Sequence, residues 1–215
     1  MRNSIKALIF DADGTLVDSE ELGLDVLHEL ANAEGARLTR EDCNRYFRGI
    51  RMALVSQKVA SLVPDCRADF VDTFTQRVRA VTAQRMAQGL NALPGAHALL
   101  QNLRIPFCVA TNGPQEKVQM TMRLSGLLPF VAGRIYTAYE VGSFKPDPGL
   151  FLHAAAELGV TASHCGVVED SIAGIQAGLA AGMRVFSLHP EEGLPPEYAE
   201  KVTFIRDLSA LTQHL

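Results

Sequence analysis

Ile5-Lys6-Ala7-Leu8-Ile9-Phe10-Asp11-Ala12-Asp13-Gly14-Thr15 is a short apolar run that stops abruptly at two acids and a glycine. A buried parallel strand ends in this way, with its polar loop at the carboxyl edge of a sheet. The same grammar recurs downstream. Pro106 to Ala110 runs into Thr111-Asn112-Gly113-Pro114, and Arg134 to Ala138 is followed by a loop reaching Lys145-Pro146-Asp147-Pro148. Gly166 to Val168 ends in Glu169-Asp170-Ser171, and Arg184 to Leu188 ends in His189-Pro190. Between these runs, apolar residues at helical spacing mark Ala96 to Leu103, Val118 to Leu128, Phe151 to Leu158 and Ile172 to Ala181. Strand, loop and helix in repetition predict an α/β fold, a doubly wound parallel sheet. Right-handed crossovers bring the strand ends to one edge, where such sheets bind ligands.

Residues 18–88 break this rhythm. Apolar positions at Leu22, Val26, Leu27 and Leu30, then Leu54, Val55, Val59 and Leu62, then Phe70, Phe74, Val78 and Val81 predict three or four amphipathic helices and no strand. A βα loop usually takes roughly 2–6 residues. The segment is therefore expected to be a small helical domain inserted into a core formed by 1–17 and 89–215, with Gly89 to Gly95 as the return linker.

Composition narrows the function classes. Twenty Lys and Arg against 24 Asp and Glu leave a net charge of −4 over 215 residues. A mildly acidic chain has no broad electrostatic attraction for nucleic acid, and an anionic substrate would need a local cation or a metal. No run approaches the ~18 apolar residues of a membrane span. Cys43, Cys66, Cys108 and Cys165 are scattered, with no C-x-x-C pair. A chain of this length buries its own core without disulfides. These features lead to the expectation of a reduced, cytoplasmic protein, a monomer that binds neither nucleic acid nor membrane.

The strand ends carry the chemistry. Asp11 and Asp13 repel one another unless a cation lies between them, and Gly14 permits a sharp turn; the same residues also make an ordinary turn. In Glu169-Asp170-Ser171, either Asp170 or Ser171 suits a helix N-cap, which leaves Glu169 unexplained. Hard oxygen donors from two strand ends fit Mg²⁺. Thr111 and Asn112 before Pro114 form a turn into a helix, and also a possible anion site. Lys145 alone would be a solvated surface lysine. Together on one edge, the acids, the hydroxyl and the lysine are what a phosphate-handling site with Mg²⁺ requires.

Asp11-Ala12-Asp13-Gly14-Thr15, Thr111-Asn112-Gly113, Lys145-Pro146-Asp147 and Val168-Glu169-Asp170-Ser171 resemble the four motifs of the haloacid dehalogenase superfamily, in the subgroup with a helical cap inserted after the first strand. Order and spacing match over nearly the whole chain. Thr111-Asn112-Gly113-Pro114 and Phe47-Arg48-Gly49-Ile50 look more narrowly like bacterial phosphatases of the 6-phosphogluconate type. The resemblance implies a Rossmann-like core and a Mg²⁺-dependent phosphatase acting on a small phosphorylated metabolite, a sugar or sugar-acid phosphate. It makes Asp11 the nucleophile and Asp13 the acid and base. Thr111 and the Asn112 amide would hold a phosphoryl oxygen, and Lys145 would neutralise charge. Mg²⁺ would be held by the Asp11 carboxylate, the Asp13 carbonyl and Asp170, with Glu169 acting through water. Substrate would also meet Arg48, Gly49 and Arg51 of the cap, where a guanidinium can pair with a carboxylate; a solvated helix end is the alternative. Lys117 could also line the site, but the reading taken is a surface helical lysine.

Within the superfamily, Asp13 disfavours a dehalogenase or a phosphonatase. Mutases of the β-phosphoglucomutase type carry a cap histidine at the position occupied here by Gly23, so a sugar phosphomutase is the runner-up. A phospho-acceptor signalling domain would lack both the inserted helices and the second aspartate.

Overall fold

The computed structural model describes residues 4–215. Among them the strands are β1 (Ala7–Phe10), β2 (Phe107–Thr111), β3 (Ile135–Thr137), β4 (Cys165–Glu169), β5 (Arg184–Ser187) and β6 (Thr203–Phe204). They form one sheet in the order β3-β2-β1-β4-β5-β6, and every pairing is parallel. β1, β2 and β4 are buried along their whole length, which explains their continuous apolar sequence: a central parallel strand is covered on both faces.

The chain leaves β1 outward through β2 and β3, then returns to lay β4 on the other side of β1. The strand order therefore reverses between β1 and β4, the switch point at which doubly wound sheets leave a crevice. Asp11 continues β1, donating its N–H to the Val168 carbonyl at 3.0 Å, and Glu169 closes β4. The two carboxylates are thus fixed by ladder geometry. The chain then turns tightly at Gly14, where φ is +78°. Its amide donates to Val17 O (2.9 Å), and Leu93 N donates to Leu16 O (2.9 Å).

The helices are α1 (Glu20–Ala33), α2 (Arg40–Phe47), α3 (Met52–Ala60), α4 (Phe70–Met86), α5 (Ala96–Asn102), α6 (Gln115–Leu124), α7 (Leu128–Val131), α8 (Ala138–Val141), α9 (Gly149–Glu157), α10 (Ile172–Ala180) and α11 (Pro196–Ala199). The chain divides into two compact units, 1–18 with 91–215, and 19–90. The first holds the sheet. One of its core clusters packs Leu150, Phe151 and Ala154 of α9 and Ile175 of α10 with Ile9, Cys108, Ala110, Val167 and Val185. Gly178 lets α10 approach closely, since a Cβ there would lie 2.8 Å from Val185 Cγ2. The second unit has its own core, with Val26, Leu27 and Leu30 of α1 against Val55 and Val59 of α3 and Phe70, Phe74 and Val78 of α4.

Two details depart from the sequence reading. The apolar stretch from Val118 to Leu128 is not one helix: α6 ends at Leu124 and Gly126 turns the chain with φ +72° before α7. β6, two residues long, has too short a pattern to stand out from a loop. Among the described residues, no helix is long and apolar enough to cross a membrane.

Candidate active site

Lys145 is the centre of the site. It is 6 % exposed, and its Nζ donates to Asp11 Oδ1 at 2.5 Å and to Glu169 Oε1 at 2.6 Å. The lysine that spacing alone would leave on the surface is therefore buried between the ends of β1 and β4. Its backbone is clamped by Asn112: Lys145 N donates to Asn112 Oδ1 (2.9 Å), and Asn112 Nδ2 donates to Lys145 O (3.3 Å). The following bond to Pro146 is cis, and Asp147 accepts from Ser143 Oγ (2.6 Å) and from Gly149 N (2.8 Å) at the start of α9.

Glu169 is fully buried. Its second oxygen, Oε2, accepts from the amide and hydroxyl of Ser171, both at 2.9 Å. Ser171 is the N-cap of α10, accepting from Gly174 N at 3.1 Å, so of the two capping candidates the serine caps. Gly174 makes room for Glu169: a Cβ there would fall 1.8 Å from Oε1. Gly14 plays the same part for Asp170, whose Oδ2 would meet a Cβ at 2.1 Å. Thr15 Oγ1 donates to Asp170 Oδ1 at 3.2 Å.

Asp11, Glu169 and Asp170 each offer a carboxylate oxygen, all within 4.8 Å of one another. Burial pushes the Asp11 carboxyl from 3.8 up to about 7, with Glu169 and Asp13 adding to the push and Lys145 opposing it. Lys145 goes the other way: burial would lower it, but Asp11 and Glu169 hold it above its usual range, so it stays charged. Three carboxylates around one ammonium leave an excess of negative charge, and a hard divalent cation fits that all-oxygen donor set.

Thr111 closes β2, is buried, and accepts from Gly113 N at 3.0 Å. Asp13 is half-buried, its Oδ2 accepting from Lys117 Nζ at 2.8 Å. Lys117 thus differs from the sequence reading of a solvated lysine. The overlooked signal was its position, a cation in the first turn of α6, where the helix dipole disfavours positive charge.

Arg48, Gly49 and Arg51 lie in the other unit. Arg48 is held there by Glu21 and by Asn44 Oδ1 (2.7 Å), Gly49 N donates to Glu20 Oε1 at 3.0 Å, and Arg51 is exposed at the N-cap of α3.

A family model described as haloacid dehalogenase-like hydrolase matches residues 5–182. The 6-phosphogluconate phosphatase of Escherichia coli (strain K12) is 33 % identical over 97 % of this chain and 94 % of its own. Hexitol phosphatase A of the same organism is 33 % identical over 88 % of this chain and 86 % of its own. The crystal structure of a conserved haloacid dehalogenase-like protein from Agrobacterium tumefaciens str. C58 superposes with a TM-score of 0.80, at 29 % identity, covering 98 % of this chain and 97 % of that one. With acids, lysine and hydroxyl gathered at the switch point of such a sheet, the chain belongs to the haloacid dehalogenase-like hydrolases.

Proposed function

We propose that this enzyme hydrolyses the phosphate ester of a small metabolite, a sugar or sugar-acid phosphate such as 6-phosphogluconate, through an aspartyl-phosphate on Asp11. The observation that carries this is Lys145 Nζ lying between Asp11 and Glu169 at 2.5 and 2.6 Å, with the Asp13 carboxylate two residues beyond the first. An Asp11 oxygen attacks phosphorus as the bond to the leaving oxygen breaks, and Asp13 gives that oxygen a proton. Water then attacks the phosphorus of the aspartyl-phosphate, Asp13 takes its proton, and inorganic phosphate leaves with Asp11 restored. Lys145 offsets charge on Asp11 and on the transferring group, and Thr111 with the Asn112 amide holds a phosphoryl oxygen.

Asp11, Asp170 and the Asp13 carbonyl would hold Mg²⁺, with Glu169 behind them through water. When bound, the ion supplies charge neutralisation at the phosphoryl oxygens. The family resemblance assigns the carbonyl of Asp13, and not its side chain, to the metal. Segments 1–17 and 89–215 form the catalytic core in this proposal, and 18–88 the cap. Arg48, Gly49 and Arg51 are assigned to the substrate's leaving portion, where Arg51 would pair with a sugar-acid carboxylate. The free thiols of Cys43, Cys66, Cys108 and Cys165 support a reducing, cytoplasmic setting.

Phosphate release is to be measured with 6-phosphogluconate, glucose 6-phosphate, β-glucose 1-phosphate, phosphoglycolate and a nucleoside monophosphate, each with Mg²⁺ and with chelator. Mg²⁺-dependent release from one or two of them is the expected outcome. Conversion of β-glucose 1-phosphate to the 6-phosphate without release would make the enzyme a mutase.

A further inference from the structure

We propose that Lys117 is a positioning residue that aims the Asp13 carboxylate at the leaving group. The inference rests on the phosphatase reading above and extends it to a side chain outside the four motifs. Lys117 Nζ donates to Asp13 Oδ2 at 2.8 Å, across 104 residues of sequence, and the Asp13 side chain is only 14 % exposed. Lys117 sits in the first turn of α6, two positions after Gln115. A cation there opposes the helix dipole, so the helix gains nothing from it. Because its own side chain is 36 % exposed, the ion pair contributes little to folding stability either. What the pair does achieve is geometric.

Asp13 follows the end of β1 on a loop, with rotations about χ1 and χ2 to restrain. The Lys117 ammonium, carried on a helix, restrains where Asp13 Oδ2 lies. The lysine stem runs beside Gly113 on its way to the acid: a Cβ at that position would lie 3.6 Å from Asp13 Oδ2 and 3.8 Å from Lys117 Cδ, at ordinary contact distance. Lys145 serves the nucleophile, while Lys117 serves the acid two residues later. A misplacement of about 1 Å in a reacting group can cost ~100-fold in rate, which is the scale on which such a restraint acts.

The test separates leaving-group chemistry from general damage. Values of kcat/KM are measured for the full-length enzyme and for Lys117→Met, Lys117→Arg and Asp13→Ala. The substrates are phenyl, p-nitrophenyl and 2,4-dinitrophenyl phosphate, with Mg²⁺ present. Dinitrophenolate leaves without a proton, whereas phenolate profits most from an acid. In Lys117→Met the ratio of dinitrophenyl to phenyl turnover should rise ~10- to 100-fold, part of the 10²–10⁴ that a positioned acid contributes. Asp13→Ala should raise it further, and Lys117→Arg should return it towards the wild-type ratio. Melting curves that coincide for all four proteins accompany this outcome. An equal loss on all three esters in Lys117→Met overturns the positioning role and leaves the phosphatase reading intact. A wild-type enzyme that hydrolyses none of the esters and none of the metabolites overturns both.

Discussion

Lys145 brings one positive charge into a cluster of three carboxylates, and its position depends on two hydrogen bonds that its own side chain does not make. Asn112 accepts from its amide and donates to its carbonyl. Asn112→Ala would leave both backbone groups without these partners, at a cost of about 1–3 kcal/mol, and would loosen the ammonium. We expect kcat to fall ~10- to 100-fold with little change in KM, read from steady-state kinetics. Asp11→Asn should abolish turnover, by at least ~1,000-fold, because an amide is no nucleophile towards phosphorus; retained activity would remove Asp11 from its role. The types and order of the charged residues were legible in the sequence, because Asp-x-Asp-Gly-Thr and Glu-Asp-Ser directly follow an apolar run and Lys-Pro lies in the connection after another. The side-chain role of Asn112 and the pairing of Lys117 with Asp13 were not. Both depend on partners 33 and 104 residues away, which meet only once the sheet has brought separate strand ends together.

At the level of elements, α10 shows two local rules in conflict. Gly174, three residues after the N-cap Ser171, costs the helix about 1 kcal/mol relative to alanine. Propensity alone therefore predicts that Gly174→Ala stabilises. The added Cβ, however, would sit 1.8 Å from Glu169 Oε1, and Glu169 is fully buried with both oxygens engaged. Displacing it costs a hydrogen bond to a charged group, about 1.5–3 kcal/mol, so the clash outweighs the propensity. The melting temperature should fall by several degrees, at ~2–4 °C per kcal/mol for a chain of this size, and phosphatase activity should fall with it. A more stable Gly174→Ala protein would show that Glu169 relocates freely. The same element shows what patterning can convey. Its Ala-Gly steps, Ala173-Gly174 and Ala177-Gly178, are the pattern of a helix lying close to the sheet, and Gly178 against Val185 is that contact. Periodicity was less informative around Gly126, where Leu124, Leu127 and Leu128 continue the apolar pattern through a turn.

For the molecule as a whole, the net charge of −4 says little about where charge matters, since the critical imbalance is buried in the sheet-bearing unit. Asp11 is pushed up to about 7 from 3.8, first by burial and then by Glu169. Between those values the folded protein binds a proton that the unfolded chain has released. Stability from this group is therefore complete below about pH 4 and is lost as the pH rises through about 7. Lys145 is held above its usual range, so it keeps its charge across this window. Asp42, Asp147 and Asp207 are lowered by their hydrogen bonds, so they favour the fold above the usual carboxylate range and lose that contribution only as the pH falls below it. Hence chelated wild-type protein should lose melting temperature from pH 4 to pH 8 relative to Asp11→Asn, which has no such proton to release. A Mg²⁺ ion held by the ionised carboxylates, as proposed above, would stabilise the folded state by mass action, so its addition should recover the wild-type deficit, most above pH 7, and do less for Asp11→Asn. Scanning calorimetry of both proteins, with Mg²⁺ and with chelator, reads this directly. Parallel chelated curves for the two proteins would mean that Asp11 is ionised throughout and that Lys145 alone balances it. Diverging curves that Mg²⁺ brings together would identify the buried carboxylate cluster as a site held in readiness for a cation, at a measurable cost to the metal-free fold.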